Sequence, residues 1–179
     1  MTNQEQTTKK IWNIRSLVIM AVLVSAEIVL SRFLSFSTWN LKIGFAFVPV
    51  VLAAMLLGPV RAAIVGGMAD FLGAILFPIG AYFPGFTLTS ALVGLVFGLF
   101  LFKKQTFLRV LCAVGINQLV LSLFLNTYWI SVLYGSAYDA ILVTRLTQCA
   151  ILIPVQIGVI WLMIKTAMGY LRKKAQEWI

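Results

Sequence analysis

Residues 17–49 read LVIMAVLVSAEIVLSRFLSFSTWNLKIGFAFVP, and this stretch decides the class of fold. An apolar helix carries the small residues Ala21 and Ser25 on one side and Glu27 further along. It runs into an irregular segment, Ser31 to Lys42, rich in aromatic and cationic side chains, before hydrophobicity resumes at Ile43. A span with a small-residue face can contact another helix closely. A loop of aromatics and cations behind it can capture a ligand. The rest of the chain tests whether both jobs are supported.

The whole chain is as apolar as this stretch. Of 179 residues, 61% are hydrophobic and only 11% charged, and the mean hydropathy is +1.01. Globular domains average about a quarter charged residues, so too few polar side chains remain to clothe a soluble surface. The composition implies an integral membrane protein. Fourteen basic against five acidic residues give +9, which in a soluble domain would suggest nucleic acid. Here the cations sit between and outside apolar runs, where the positive-inside rule explains them. Cys112 and Cys149 fall inside apolar runs and the chain has no histidine, so the sequence supports neither a disulfide framework nor a histidine-containing zinc site. The first apolar run has no small-residue cleavage pattern and reads as a first span rather than a signal peptide.

A span needs about 20 apolar residues, about 17 at the short end. That ruler predicts six, at residues 15–36, 43–58, 60–77, 84–102, 106–130 and 140–166. With the N-terminus inside, the inner segments hold Lys9, Lys10, Arg15, Arg61, Lys103, Lys104, Arg109, Lys165, Arg172, Lys173 and Lys174, while the outer ends hold Arg32, Lys42 and Arg145. The expected architecture is therefore an all-α integral membrane protein, a compact bundle of six transmembrane helices with both termini in the cytoplasm.

Local features fill in this frame. Gly58-Pro59 makes a tight inner turn. The pairs Ala62/Gly66 and Ala63/Gly67 read as internal helix packing. Asp70 and Glu27 stand at no helical spacing from a basic residue, and pairing, capping and ligand contact remain open for both. Residues 77–87, with two prolines and two glycines, form a shaped outer loop. Its aromatics suit an interfacial belt or a stacking surface. Arg145, with Thr144, Thr147 and Gln148 beside it and Pro154 and Gln156 deeper, suggests a hydrated cavity. No phosphate-binding loop, no histidine base and no nucleophile elbow is present, so neither ATP hydrolysis by that route nor an evident catalytic constellation is encoded. The outer cations, opposed there only by Asp139, favour an anionic guest, and the outer aromatics Trp39, Tyr82, Phe83, Tyr128 and Trp129 a flat one.

At this point the residues resemble a known family. The segments Leu30 to Ser35, Lys42 to Phe45, Pro49, Gly58-Pro59, Asp70 to Gly73, Tyr82 to Thr87 and Asn126-Thr127 look like those of the substrate-binding (S) components of energy-coupling factor (ECF) vitamin transporters, in their folate-specific branch. The resemblance implies a high-affinity folate binder and no enzyme. It would work with a transmembrane coupling subunit and two cytoplasmic ATPases in the bacterial plasma membrane, and topple there to release its cargo inward. It further implies a single substrate-binding domain over residues 1–179, with a polar cytoplasmic N-terminus at 1–10 and a basic cytoplasmic C-terminus at 167–179. The family's alanines four apart, which contact the coupling subunit, correspond to Ala21 and Ser25. Folate is a flat pterin and aminobenzoyl unit with a dicarboxylate tail. Arg145 and Arg32 are expected to hold its polar ends and Lys42 to steer it. Trp39, Tyr82, Phe83 and Trp129 would wall the rings and Asn126 read a pterin edge. No cofactor or metal is expected, with ATP used by the partners. Riboflavin, biotin and the cationic thiamine are the rival cargoes, and an unrelated channel or exporter the rival class.

Overall fold

The computed structural model describes residues 13–37, 42–78, 80–135 and 138–166. Their helices are α1 (Ile14–Arg32), α2 (Phe47–Leu57), α3 (Pro59–Leu76), α4 (Pro84–Leu101), α5 (Phe107–Tyr134) and α6 (Tyr138–Thr166). Five of these are long and apolar enough to cross a membrane. The chain is a multi-pass helical membrane protein.

The second rod departs from expectation. Where residues 43–58 were expected to form a span, α2 has 11 residues, about 16 Å of helix at 1.5 Å per residue. It lies inside the bundle, with eight side chains buried between Phe47 and Leu57. The stretch preceding it also differs. α1 ends at Arg32 rather than at 36, and Phe36–Ser37 (β1) pairs antiparallel with Lys42–Ile43 (β2), Phe36 opposite Ile43. This ladder is the exception to the all-α expectation. It pairs backbone groups that leave helical bonding where the chain turns back.

Two joints set the path of the chain. Gly58 sits at φ +94, a conformation side chains other than glycine rarely adopt, and Pro59 starts α3 with a preset φ. The reversal needs no loop. α3 and α4 then run antiparallel at backbone contact. A Cβ on Gly94 would lie 2.2 Å from the Ala62 carbonyl oxygen, one on Gly66 2.5 Å from that of Ser90, and one on Gly98 2.2 Å from Pro59 Cα. The small-residue pair Ala62/Gly66 is thus internal packing, as expected.

Arg32 at the end of α1 lies against Gly73 near the end of α3, so these two helices run the same way. α5 and α6 run antiparallel, with Cys149 beside Gln118, Arg145 beside Ser122, and Trp161 stacked edge-on against Phe107. The starts of α1, α3 and α5 and the ends of α4 and α6 accordingly share one end of the bundle. The opposite end carries the ladder, the 77–83 loop and the mouth of a cavity. Beneath the cavity the core is apolar, built on Val51, Val65, Leu101, Val110, Val114 and Ile160.

Candidate functional site

A cavity of about 590 Å³ opens among the helices at the loop end, within the range of small-molecule sites. Of the expected site residues it is lined by Arg32, Tyr82, Phe83, Asn126 and Arg145. Trp39 lies outside the described residues, and of Lys42 only the backbone is described. Trp129 does not line the cavity. Its ring covers Gly85, where a Cβ would meet Trp129 Cδ2 at 2.6 Å, and packs tilted against Phe83 at 5.4 Å between centroids. Its indole N–H donates to Thr89 Oγ1 at 3.2 Å, and that hydroxyl donates to the Gly85 carbonyl at 2.9 Å. Trp129 therefore braces the start of α4 from behind, and Phe83 carries the wall forward.

The two arginines are held differently. The Arg32 guanidinium lies against α3 at Gly73, its Nε 3.0 Å from where a Gly73 Cβ would be. That Nε is buried with no hydrogen-bond partner among the described residues. Arg145 is 7% exposed and donates from Nη1 to the Ser122 carbonyl oxygen at 2.7 Å. Ser122 belongs to a π-helical stretch, Ile116–Leu125, in the middle of α5. Such wide turns are rare and concentrate at functional sites. One turn further along, the Cys149 thiol donates to the Gln118 carbonyl at 3.4 Å. Helix α6 thus fastens the π-helical stretch at two carbonyls.

Both carboxylates left open by the sequence, Glu27 and Asp70, line the cavity. Asp70 Oδ2 accepts from Thr87 Oγ1 at 2.9 Å. Thr87 spends its one proton there, so at 3.3 Å the Tyr82 hydroxyl donates to Thr87. This chain ties the 77–83 loop to α3. Two guanidiniums and two carboxylates therefore face the same space, and the cation surplus counted along the sequence does not extend into the cavity.

The lining also includes a set of amides: Asn117 and Gln118 on α5, Gln148 and Gln156 on α6. Arg145, Gln148, Leu152 and Gln156 follow the 3-4-4 spacing of one helix face, a readable signal. Asn117-Gln118 was legible only as two amides inside an apolar run. The small-residue positions of α1 lie elsewhere. Ala21 and Ser25 are exposed on the outer surface of the bundle, the Ser25 hydroxyl donating back to the Ala21 carbonyl at 3.0 Å.

The helical bundle, the cavity and its guanidinium, amide and aromatic lining meet a family match over most of the chain. The family model for the substrate-specific component of ECF transporters matches residues 15–164. The chain belongs to this family. It is a membrane transporter component of the ECF type, and such components are binding subunits rather than enzymes. Among its relatives is the folate transporter FolT of Clostridium novyi (strain NT), 44% identical over 146 residues that cover 81% of this chain and 85% of that protein. The folate transporter FolT of Leuconostoc mesenteroides is 34% identical over 152 residues, covering 81% and 82%. Among solved structures, a crystal structure of FolT bound with folic acid superposes with a TM-score of 0.79 at 37% identity, over 82% of this chain and 92% of the other.

Proposed function

We propose that this ECF component binds folate and delivers it across the plasma membrane of a bacterium. The observation that carries the reading is a cavity lined at once by two arginines, a bank of amides and the rings of Tyr82, Phe83 and Phe86. A dicarboxylate tail, a hydrogen-bonding pterin and flat rings call for those three chemistries. Likeness to two folate transporters and to a FolT structure holding folic acid supports the same cargo. In this reading Arg32 and Arg145 engage the carboxylates, Lys42 steers, Tyr82, Phe83 and Trp39 frame the rings, and Asn126 pairs with the ligand. Trp129 acts through Phe83.

The remaining assignments belong to the same proposal. All six rods, α2 included, carry the chain across the bilayer, and both termini face the cytoplasm. Arg15, Arg61, Lys103, Lys104, Arg109 and Lys165 at one end, against Arg32 and Arg145 near the other, support this orientation. Ala21 and Ser25 offer a smooth face to a transmembrane coupling subunit, and two cytoplasmic ATPases supply the energy for toppling. The decisive experiment purifies the full chain in detergent, identifies the co-purifying small molecule by mass spectrometry, and titrates the emptied protein with folic acid by calorimetry. Folic acid in the first and a saturable heat in the second are expected. Riboflavin in its place, with no heat from folic acid, overturns the cargo. In proteoliposomes the chain alone should bind but not transport.

A further inference from the structure

Helix α5 has two faces with different neighbours. Gln118, Ser122, Asn126 and Ile130 recur every four residues and line the large cavity. Two positions on, Val120, Phe124 and Tyr128 keep the same interval, and each is more than half exposed. This outer face is grooved. A second cavity of about 380 Å³ lies against it, lined by Val120, Leu121, Phe124, Leu125, Tyr128 and, from α6, Tyr138. Four of the six belong to the π-helical stretch Ile116–Leu125. Its i→i+5 bonding puts more residues in each turn than an α-helix has and spreads the side chains apart. Leu121, 8% exposed, is the buried wall.

The groove has a top and a depth. Tyr138 is the first residue of α6, and Tyr128 stands six before the end of α5. Val120 stands fourteen before that end, halfway along the 28 residues of the helix. At 1.5 Å per residue the groove begins within about 10 Å of the loop end and reaches about 21 Å down. The hydrocarbon of a bilayer is about 30 Å thick, so the groove follows the depth of one leaflet. Tyrosine suits the membrane–water boundary, with an apolar ring and a polar tip. Both tyrosines stand toward that boundary, and the wall below them is Val, Leu and Phe.

The lining selects the occupant. Helices that associate in lipid do so through small residues that let backbones approach. Helix α1 offers such a face at Ala21 and Ser25, and this groove has none. Among the described residues its lining also holds no charged or amide side chain. A narrow space between bulky apolar groups fits a flexible hydrocarbon chain, which the surrounding bilayer supplies.

We propose that the groove seats one acyl chain of a phospholipid from the leaflet at the loop end, its glycerol and headgroup level with Tyr128 and Tyr138. The chain backs the π-helical stretch from the lipid side. Gln118 and Ser122 of that stretch line the large cavity, so the tail and the cargo share one wall. The site does not depend on which cargo is bound. It recognises the tail rather than the headgroup, and phosphatidylcholine and phosphatidylglycerol are equivalent there.

The test places the full chain in phosphatidylcholine vesicles containing a small share of phosphatidylcholine with a diazirine midway along one acyl chain. After illumination, mass spectrometry of the digested protein locates the adducts. Seated hydrocarbon is held in proportion to the area it buries, so residues 120–128 and Tyr138 should carry about fivefold more adduct than Val29 and Leu88, two exposed positions toward the same end. Phosphatidylglycerol carrying the same group should give the same pattern. Adducts spread in proportion to exposure mean surrounding lipid only and overturn the site, as does labelling confined to the anionic lipid. Val120→Trp fills the groove and should abolish the excess at Tyr138, while Val143→Trp, at a lipid-facing position of α6 that is 66% exposed, leaves it. An excess that survives Val120→Trp, or a chain-to-chain crosslink through this face in its place, overturns the proposal. Where Val120→Trp does not fold, the wild-type pattern decides alone.

Discussion

The α3–α4 seam and the α5–α6 pair are both antiparallel helix contacts in the same bundle, and they are built in opposite ways. The first is backbone against backbone. Gly66, Gly94 and Gly98 bring Ser90, Ala62 and Pro59 to distances where no Cβ fits. In lipid, where the hydrophobic effect does not drive helices together, such close packing holds them. The second pair is held open. Its helices are joined by side chains bonded to carbonyls, Arg145 to Ser122 and Cys149 to Gln118, with a π-helical stretch and a row of amides turned to a cavity. One seam serves rigidity and the other serves a guest.

Three substitutions would break or sharpen this contrast. The largest effect is expected at Gly94→Leu. A Cβ there already falls 2.2 Å from the Ala62 carbonyl, and inserted volume in a packed seam costs about 1–3 kcal/mol or more. Backbone cannot move aside as a side chain can, so loss of the monodisperse peak in size-exclusion chromatography is expected. A normal peak and melting temperature would mean that the seam is plastic.

Next comes Arg145→Ala, which removes the clamp on the π-helical stretch and a proposed carboxylate partner. Losing a desolvated charge partner costs about 2–5 kcal/mol, so calorimetry should find folic acid bound well over tenfold more weakly. Near-wild-type affinity would take Arg145 out of the site. The smallest effect belongs to Trp129→Phe. It keeps a ring over Gly85 but loses the bond to Thr89 Oγ1, about 1 kcal/mol of stability, with folic acid affinity unchanged. A matching fall in affinity would move Trp129 back into the site.

Much of the architecture was legible because the bilayer imposes a ruler. Apolar length located every rod to within a few residues, except that α5 runs on to Tyr134 and the second rod is short. There, residues 43–46 are apolar enough to extend a span, yet they pair as a strand and turn before helix begins at Phe47. Hydrophobicity reports burial in apolar surroundings and does not distinguish lipid from protein. The site was legible in part. Arg32, Tyr82, Phe83, Asn126 and Arg145 stood out as polar or aromatic residues near the loop ends, and they line the cavity. Trp129 stood out equally and faces the back of Phe83, because a helix side chain's direction depends on what packs beside it.

What the sequence alone determined is the membrane class, the helical rods, their alternating charge and the family. The first three follow from composition and from apolar spacings along one chain, and the family from the likeness of its short motifs. Only the tertiary structure decided how the charges balance. Glu27 and Asp70 carry no helical spacing to Arg32 or Arg145, yet all four face one cavity. The same holds for the amides beneath them. Asn117 and Gln156 lie 39 positions apart, and the antiparallel register of α5 and α6 brings both to the same cavity. Burial then leaves both with hydrogen-bonding atoms that have no partner among the described residues.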